Sequence, residues 1–282
     1  IFVVWVERKN YNRAFERANE ILECFKKELN YCSDFIEVVK SYDEMINAQN
    51  KNKFYAFLGF EGLMAIDENI DILDSYYNDY GVRHASLTWN EENKLATGAS
   101  GESGRGLTEL GKKVIKKMND KGMIVDVSHL NDKSFFDVAN ITNSPIIASH
   151  SNSRKLCGSM RNLTDEQLKV IRDFNGVVGF NCYKDFVDED KDKQTIDRAV
   201  DHIKYIADTI GVNHIGLGFD YNEYFEGEDI TGVKGLEDAS KSYTILEKLK
   251  EACNIEALCD LTPEEFEKHA HLINDETKIK RC

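Results

Sequence analysis

Short runs of apolar and β-branched residues recur along this chain, and between them the apolar positions shift to a three-to-four spacing. Runs at 1–6 (IFVVWV), 54–58, 82–88, 123–127, 145–148, 176–181 and 214–219 have the length and composition of strands. Between the first two runs, Ala14, Phe15, Ala18, Ile21, Leu22 and Phe25 fall on one face of a helix over 11–29. Further helices are expected over 34–46, 70–80, 108–120, 132–141, 164–173, 195–210 and 236–252. Thr108 is placed to cap one of them, and Thr164-Asp165-Glu166-Gln167 reads as a capping box for another. A second such box, Thr262-Pro263-Glu264-Glu265, has Pro263 at the favoured first helical position.

Strand alternates with helix along the whole chain, without runs of hairpin signals or an internal repeat, and that order builds a parallel sheet. The strand runs fall one short of a closed (β/α)8 TIM-type barrel. The chain opens at Ile1 directly in a strand, so the expected fold is an α/β barrel whose first strand lies upstream. An open doubly wound sheet is the alternative, weakened by the absence of a GxGxxG or P-loop pattern. The expected organisation is a barrel domain over 1–252, incomplete at its N-terminus, followed by a helical, charged tail over 253–282.

In a barrel of this kind the chemistry gathers at the C-terminal ends of the strands. The residues that close the apolar runs are Glu61, Trp89, His129, His150, Asn181 and Asp220. Two of the runs, MIVDVSH and PIIASH, end in Ser-His with a helical stretch between them. As one βαβ unit they form neighbouring parallel strands about 5 Å apart, and both imidazoles emerge on the same edge. Two imidazoles with two carboxylates make a donor set suited to zinc and its neighbours. The plainer reading has polar residues at strand ends because loops begin there. Asp126 is either a buried partner of a histidine or without a role. His84, five positions before Trp89, is expected to face away from the site, and His202, His214, His269 and His271 are assigned to structure or surface. The polar, glycine-rich stretch over 90–106 is too long for an ordinary connection and reads as a functional loop, whereas the mixed charges of 184–193 read as a solvated one.

A net charge of −14 leaves no electrostatic footprint for nucleic acid, and an anionic membrane surface would repel the chain. Small molecules and cations are the expected partners. Seven cysteines, an odd number without CxxC spacing, point to reduced thiols and hence to the cytoplasm. No apolar stretch approaches the length of a membrane span and no basic leader opens the chain, so a soluble protein is expected.

Glu61 after its apolar run, RHASLTWN, GLTELGKKVIKKMNDKGMIVDVSH, PIIASHSNSRKLCGSMRNLTDEQL and HIGLGFDY together resemble the renal (membrane) dipeptidase family of zinc peptidases. The resemblance implies a barrel of the metal-dependent hydrolase kind, with two zinc ions at the strand ends and a dipeptide as substrate. Position by position, Glu61 resembles the carboxylate that bridges the ions, and His129 and His150 resemble the other ligands of the second. Asp220 resembles the aspartate near the first ion that handles protons. Arg161 resembles the arginine that grips the substrate's terminal carboxylate. Trp89 stands where the mammalian pattern has a histidine that helps polarise the scissile carbonyl, so it is taken as substrate-binding. The family's His-x-Asp on the first strand has no counterpart here, which leaves one zinc ion in this chain against two in a complete site. The tail beyond residue 252 lies outside the resemblance. Two alternatives stay open: an amidohydrolase acting on N-acyl amino acids or cyclic amides, and a non-catalytic metal-binding relative. The oligomeric state, a homodimer included, is also open.

Overall fold

A computed structural model describes residues 1–222 and 232–252. The Thr262 capping box, His269, His271 and the tail lie outside the described residues. Two compact units divide the chain: Ile1–Ala148 with Phe174–Gly176, and Ser149–Asp173 with the described residues from Val177 onwards.

The first unit alternates strand and helix: β1 (Phe2–Trp5), α1 (Ala14–Tyr31), β2 (Ile36–Val38), α2 (Tyr42–Asn50), β3 (Phe54–Ala56), β4 (Leu58–Glu61), α3 (Ile72–Ser75), β5 (Val82–Ser86), α4 (Glu109–Asp120), β6 (Ile124–Asp126), α5 (Asp132–Ile141) and β7 (Ile146–Ala148). Five of these strands form a parallel sheet in the order β1-β4-β5-β6-β7. Its register sorts the side chains. Val4, Phe60, Ala85, Val125 and Ile146 pair in one row, and all are buried. Helix α4 packs on β6 and α5 with Val114, Ile115 and Met118 buried. Each such large apolar side chain contributes about 1.5–3 kcal/mol on leaving water. Because successive residues point to opposite faces, the next row, Trp5 with Glu61 and Ser86 with Asp126, lies on the other face. Polar chemistry is thus confined to one side.

Three expectations for the first unit need correction. The helix over 34–46 is instead β2 followed by α2, since the run Phe35-Ile36-Glu37-Val38-Val39 favours extended backbone and a cap lies beyond it. Ser41 Oγ accepts the Glu44 N–H at 3.2 Å, and Glu44 Oε2 accepts the Lys40 N–H at 2.7 Å. The single strand at 54–58 is two: β3 pairs with β2 in a separate parallel ribbon, and β4 enters the main sheet and ends on Glu61 itself. His84 does not face away. A bulge between β4 and β5 sets it opposite Gly59, on the Glu61 face, and a Cβ on Gly59 would lie 2.2 Å from His84 Nε2. The backbone at Gly59 has room only for hydrogen.

In the second unit α6 (Asp165–Asp173) precedes β8 (Val177–Phe180), α7 (Lys184–Val187), α8 (Ile196–Ile210), β9 (Ile215–Leu217) and α9 (Ser242–Ala252), with β8 and β9 parallel. The expected capping box holds: the Gln167 N–H donates to Thr164 Oγ1 and the Thr164 N–H to Gln167 Oε1. Phe180, Val187, Ala199, Ile203, Leu236, Ile245 and Leu249 share one apolar cluster. Val187 anchors there, so the charged stretch over 184–193 is not merely solvated. Helix α9 begins at Ser242 rather than 236, because Leu236 is drawn into this cluster by a turn at Gly235, whose φ is +98°. No helix among the described residues is long and apolar enough to cross a membrane.

Candidate metal centre

In the first unit Glu61 and His129 meet, delivered by β4 and by the turn after β6. The Gly62 N–H donates to Ser86 Oγ at 2.9 Å, which fixes the chain as it leaves Glu61. On the other side, Asp126 Oδ1 accepts the Ser128 N–H at 3.0 Å and so shapes the turn into His129. That turn places His129 at φ +69°, a left-handed conformation uncommon for a residue with a Cβ. The Ala99 N–H to His129 O bond, 2.7 Å, holds it there. His129 Nε2 lies 2.8 Å from Glu61 Oε1, the two side chains being only 5% and 15% exposed.

The other ring nitrogen decides what this pair can do. His129 Nδ1 is 2.8 Å from Asn90 Oδ1, a carbonyl oxygen that only accepts, so the proton sits on Nδ1. In the neutral ring Nε2 then turns a lone pair towards an acceptor oxygen of Glu61. Two acceptors at that distance need something positive between them, either one shared proton or a cation bound to both. The donor set therefore fits a divalent metal, with Asn90 fixing tautomer and ring orientation. Asn90 was missed in the sequence reading. Its signal was the position directly after Trp89, at the mouth of the 90–106 loop. That loop is built around Asn93, whose side chain bonds Leu87 O, the Leu95 N–H and the Ala96 N–H at 2.8–3.1 Å.

Trp89 stands beside this pair. Its ring centroid is 6.0 Å from that of His129 and 5.6 Å from that of Trp5.

The other expected site residues belong to the second unit. His150 follows β7 by two residues, and its Nδ1 lies 2.7 Å from Ser149 Oγ. Arg161, 7% exposed, donates from Nη2 to His150 O at 3.1 Å, and its guanidinium lies 5.3 Å from the centre of the Phe186 ring. Asn181 follows β8, its backbone gripped by Asn152 through bonds of 2.9 and 3.0 Å, and its Nδ2 donates to Asp220 Oδ2 at 3.2 Å. Asp220 is exposed and also left-handed, with φ +62°. His202 is structural, as expected: fully buried, it donates from Nε2 to Val187 O and accepts the Ser153 N–H at Nδ1. Burial pushes its pKa down to about 4.

Comparison with known proteins gives this geometry a family. The model of the membrane dipeptidase family, peptidase family M19, matches residues 1–264. An uncharacterised dipeptidase, C965.12, of Schizosaccharomyces pombe is 38% identical over 225 residues, covering 78% of this chain and 53% of that protein. Dipeptidase aclJ of Aspergillus oryzae is 31% identical over 233 residues, covering 81% and 54%. The chain thus spans about half the length of these curated relatives. Among solved structures, an amidohydrolase from Pseudomonas aeruginosa superposes with a TM-score of 0.79 at 23% identity, over 89% of this chain and 80% of the other. A metallopeptidase from Rhodobacter sphaeroides, liganded with a phosphinate mimic of the dipeptide L-Ala-D-Ala, gives 0.74 at 24% identity, over 100% and 74%. These two likenesses bear on the fold. By its match to the family model over residues 1–264, the chain belongs to the membrane dipeptidase family, peptidase family M19.

Proposed function

We propose that this chain is a zinc-dependent dipeptidase in which Glu61, His129 and His150 hold one ion, while Glu61 and Asp220 are what this chain offers to the second ion of a complete site. The observation that carries the reading is the Glu61–His129 pair, whose facing lone pairs call for a cation and whose ring is preset by Asn90. The parallel pairing of β6 with β7 supports His150 as the third ligand, since the segments bearing the two histidines leave neighbouring strands at the same end. Carboxylate and imidazole are the donors zinc takes. When bound, the metal lowers the pKa of a water and polarises the carbonyl under attack.

The remaining steps fall to the chain's own groups. Asp220, oriented by Asn181, takes the proton of the attacking water and returns it to the leaving amine. Arg161 binds the terminal carboxylate of the substrate, which restricts the enzyme to short peptides. Its planar fork suits that task, and the bond to His150 O with the Phe186 ring beneath holds the fork still. Trp89 borders the substrate beside His129.

The test measures metal content and turnover together, in the parent chain and in His129→Ala and His150→Ala. The reading expects dipeptide hydrolysis that a chelator abolishes and about one metal equivalent lost in each variant. Metal content unchanged in both variants refutes the ligand set. Turnover of N-acyl amino acids or cyclic amides in place of dipeptides makes the chain a different amidohydrolase, and metal binding without any turnover makes it a non-catalytic relative.

A further inference from the structure

The chain has two tryptophans, and both stand on the face of the sheet that carries Glu61. Trp5 closes β1 in register with Glu61, so the pleat directs the two side chains to the same side. Trp89 leaves β5 three residues after its end and reaches back to both Trp5 and His129. A tryptophan serving only the core would lie in the opposite row, where Val4, Phe60, Ala85 and Val125 are fully enclosed. Trp5 and Trp89 remain half-buried.

Their arrangement is held from outside. Arg8 places its guanidinium 5.7 Å from the Trp89 ring centre, and Glu91 tethers Arg8 at 3.4 Å while also accepting the Tyr11 hydroxyl proton. The two indoles are tilted by 60° to each other rather than stacked. That leaves an edge and a face presented at an angle, the geometry in which a third aromatic ring packs well. A wall fixed in advance loses little freedom when a ligand arrives.

We propose that Trp5 and Trp89 form a side-chain subsite that selects dipeptides carrying a large aromatic residue. The subsite rests on the reading of Glu61 and His129 as part of the hydrolytic centre, and adds the substrate class. Trp5 and Trp89 touch the side chain of the substrate and set preference; Arg8 acts through Trp89 as a positioning residue.

Since both tryptophans belong to the wall, intrinsic fluorescence reports its occupancy without any turnover. The full chain is titrated with reduced-amide analogues of Phe-Ala, Ala-Phe and Ala-Ala, and kcat/KM is measured for the three parent dipeptides. One phenylalanyl analogue is expected to change the tryptophan emission and to bind about tenfold more tightly than the alanyl analogue. The matching dipeptide should show a similar advantage in kcat/KM. Trp5→Leu and Trp89→Leu should each collapse the ratio of phenylalanyl to alanyl affinity, and Trp5→Phe should restore it; thermal melting confirms that the variants fold. Equal affinity for all three analogues in the parent, or a preference that survives in both leucine variants, overturns the subsite alone. Failure to hydrolyse any of the three dipeptides, with emission unchanged by every analogue, overturns the dipeptidase reading and the subsite with it.

Discussion

His129 Nε2 and Glu61 Oε1 lie 2.8 Å apart, and the opposite ring nitrogen of the histidine is engaged by Asn90 Oδ1. The distance comes from β4 and the turn after β6, whereas the partner of the other ring nitrogen comes from a loop. Geometry and tautomer are therefore set by separate parts of the chain.

This separation makes Asn90 testable. Asn90→Ala should leave the fold intact, because Asn90 lies outside the apolar row, and should weaken zinc affinity about 10- to 100-fold. Competition with a chromogenic chelator measures it. Affinity equal to the parent's would mean that the ring holds its orientation without this partner.

Arg161→Lys keeps the charge and loses the fork. The KM for dipeptides should rise by about tenfold or more while kcat changes less, since a lysine offers a point charge where two parallel donors are needed. A KM equal to the parent's, measured in the metal-loaded enzyme, would confine Arg161 to bracing His150 O.

Gly59 and His84 should be coupled. Gly59→Ala sets a methyl 2.2 Å from His84 Nε2 and should destabilise the chain by about 1–3 kcal/mol. His84→Ala makes space on the same face, so the double variant should recover part of that loss. Additive effects in urea denaturation would show that the ring is displaced cheaply.

His202 gives the fold an acid limit. Its pKa is held down to about 4 chiefly by desolvation, against an ordinary value of 6.5, so the unfolded chain binds the proton more readily than the folded one. The stabilisation is complete above pH 6.5 and is lost as pH falls from there towards 4, by about 3 kcal/mol at most. Urea midpoints measured across that window should fall with acid in the parent and fall less in His202→Gln. Parallel curves for the two proteins would assign the acid sensitivity to other groups.

The sequence made the parallel alternation legible because the β-branched runs are short, repeated and separated by strong helical periods. Glu61, His129 and His150 came forward as candidates for the same reason, each standing where an apolar run stops. The β2–α2 segment was misread because Ile36, Val39 and Ile46 also satisfy a helical spacing, and only the Ser41 cap reveals where the helix begins. His84 was misplaced by counting along a regular strand, whereas the bulge at Gly59 shifts the register. Asn90 escaped because an asparagine opening a loop is commonplace, and its meaning lies in a histidine 39 residues away.

The left-handed backbone at His129 sets the energetic wish of the turn against the ligand role proposed for it. Glycine or asparagine would sit at φ +69° with less strain, and the histidine keeps a cost of about 1–3 kcal/mol stored in the folded state. In a copy of this chain relieved of metal binding, drift at position 129 would run downhill towards those residues, and the copy would grow more robust as it fell silent. On the proposed metal-binding role, heat resistance gained by substitution at this one position would therefore be a symptom of lost function rather than an improvement of the protein.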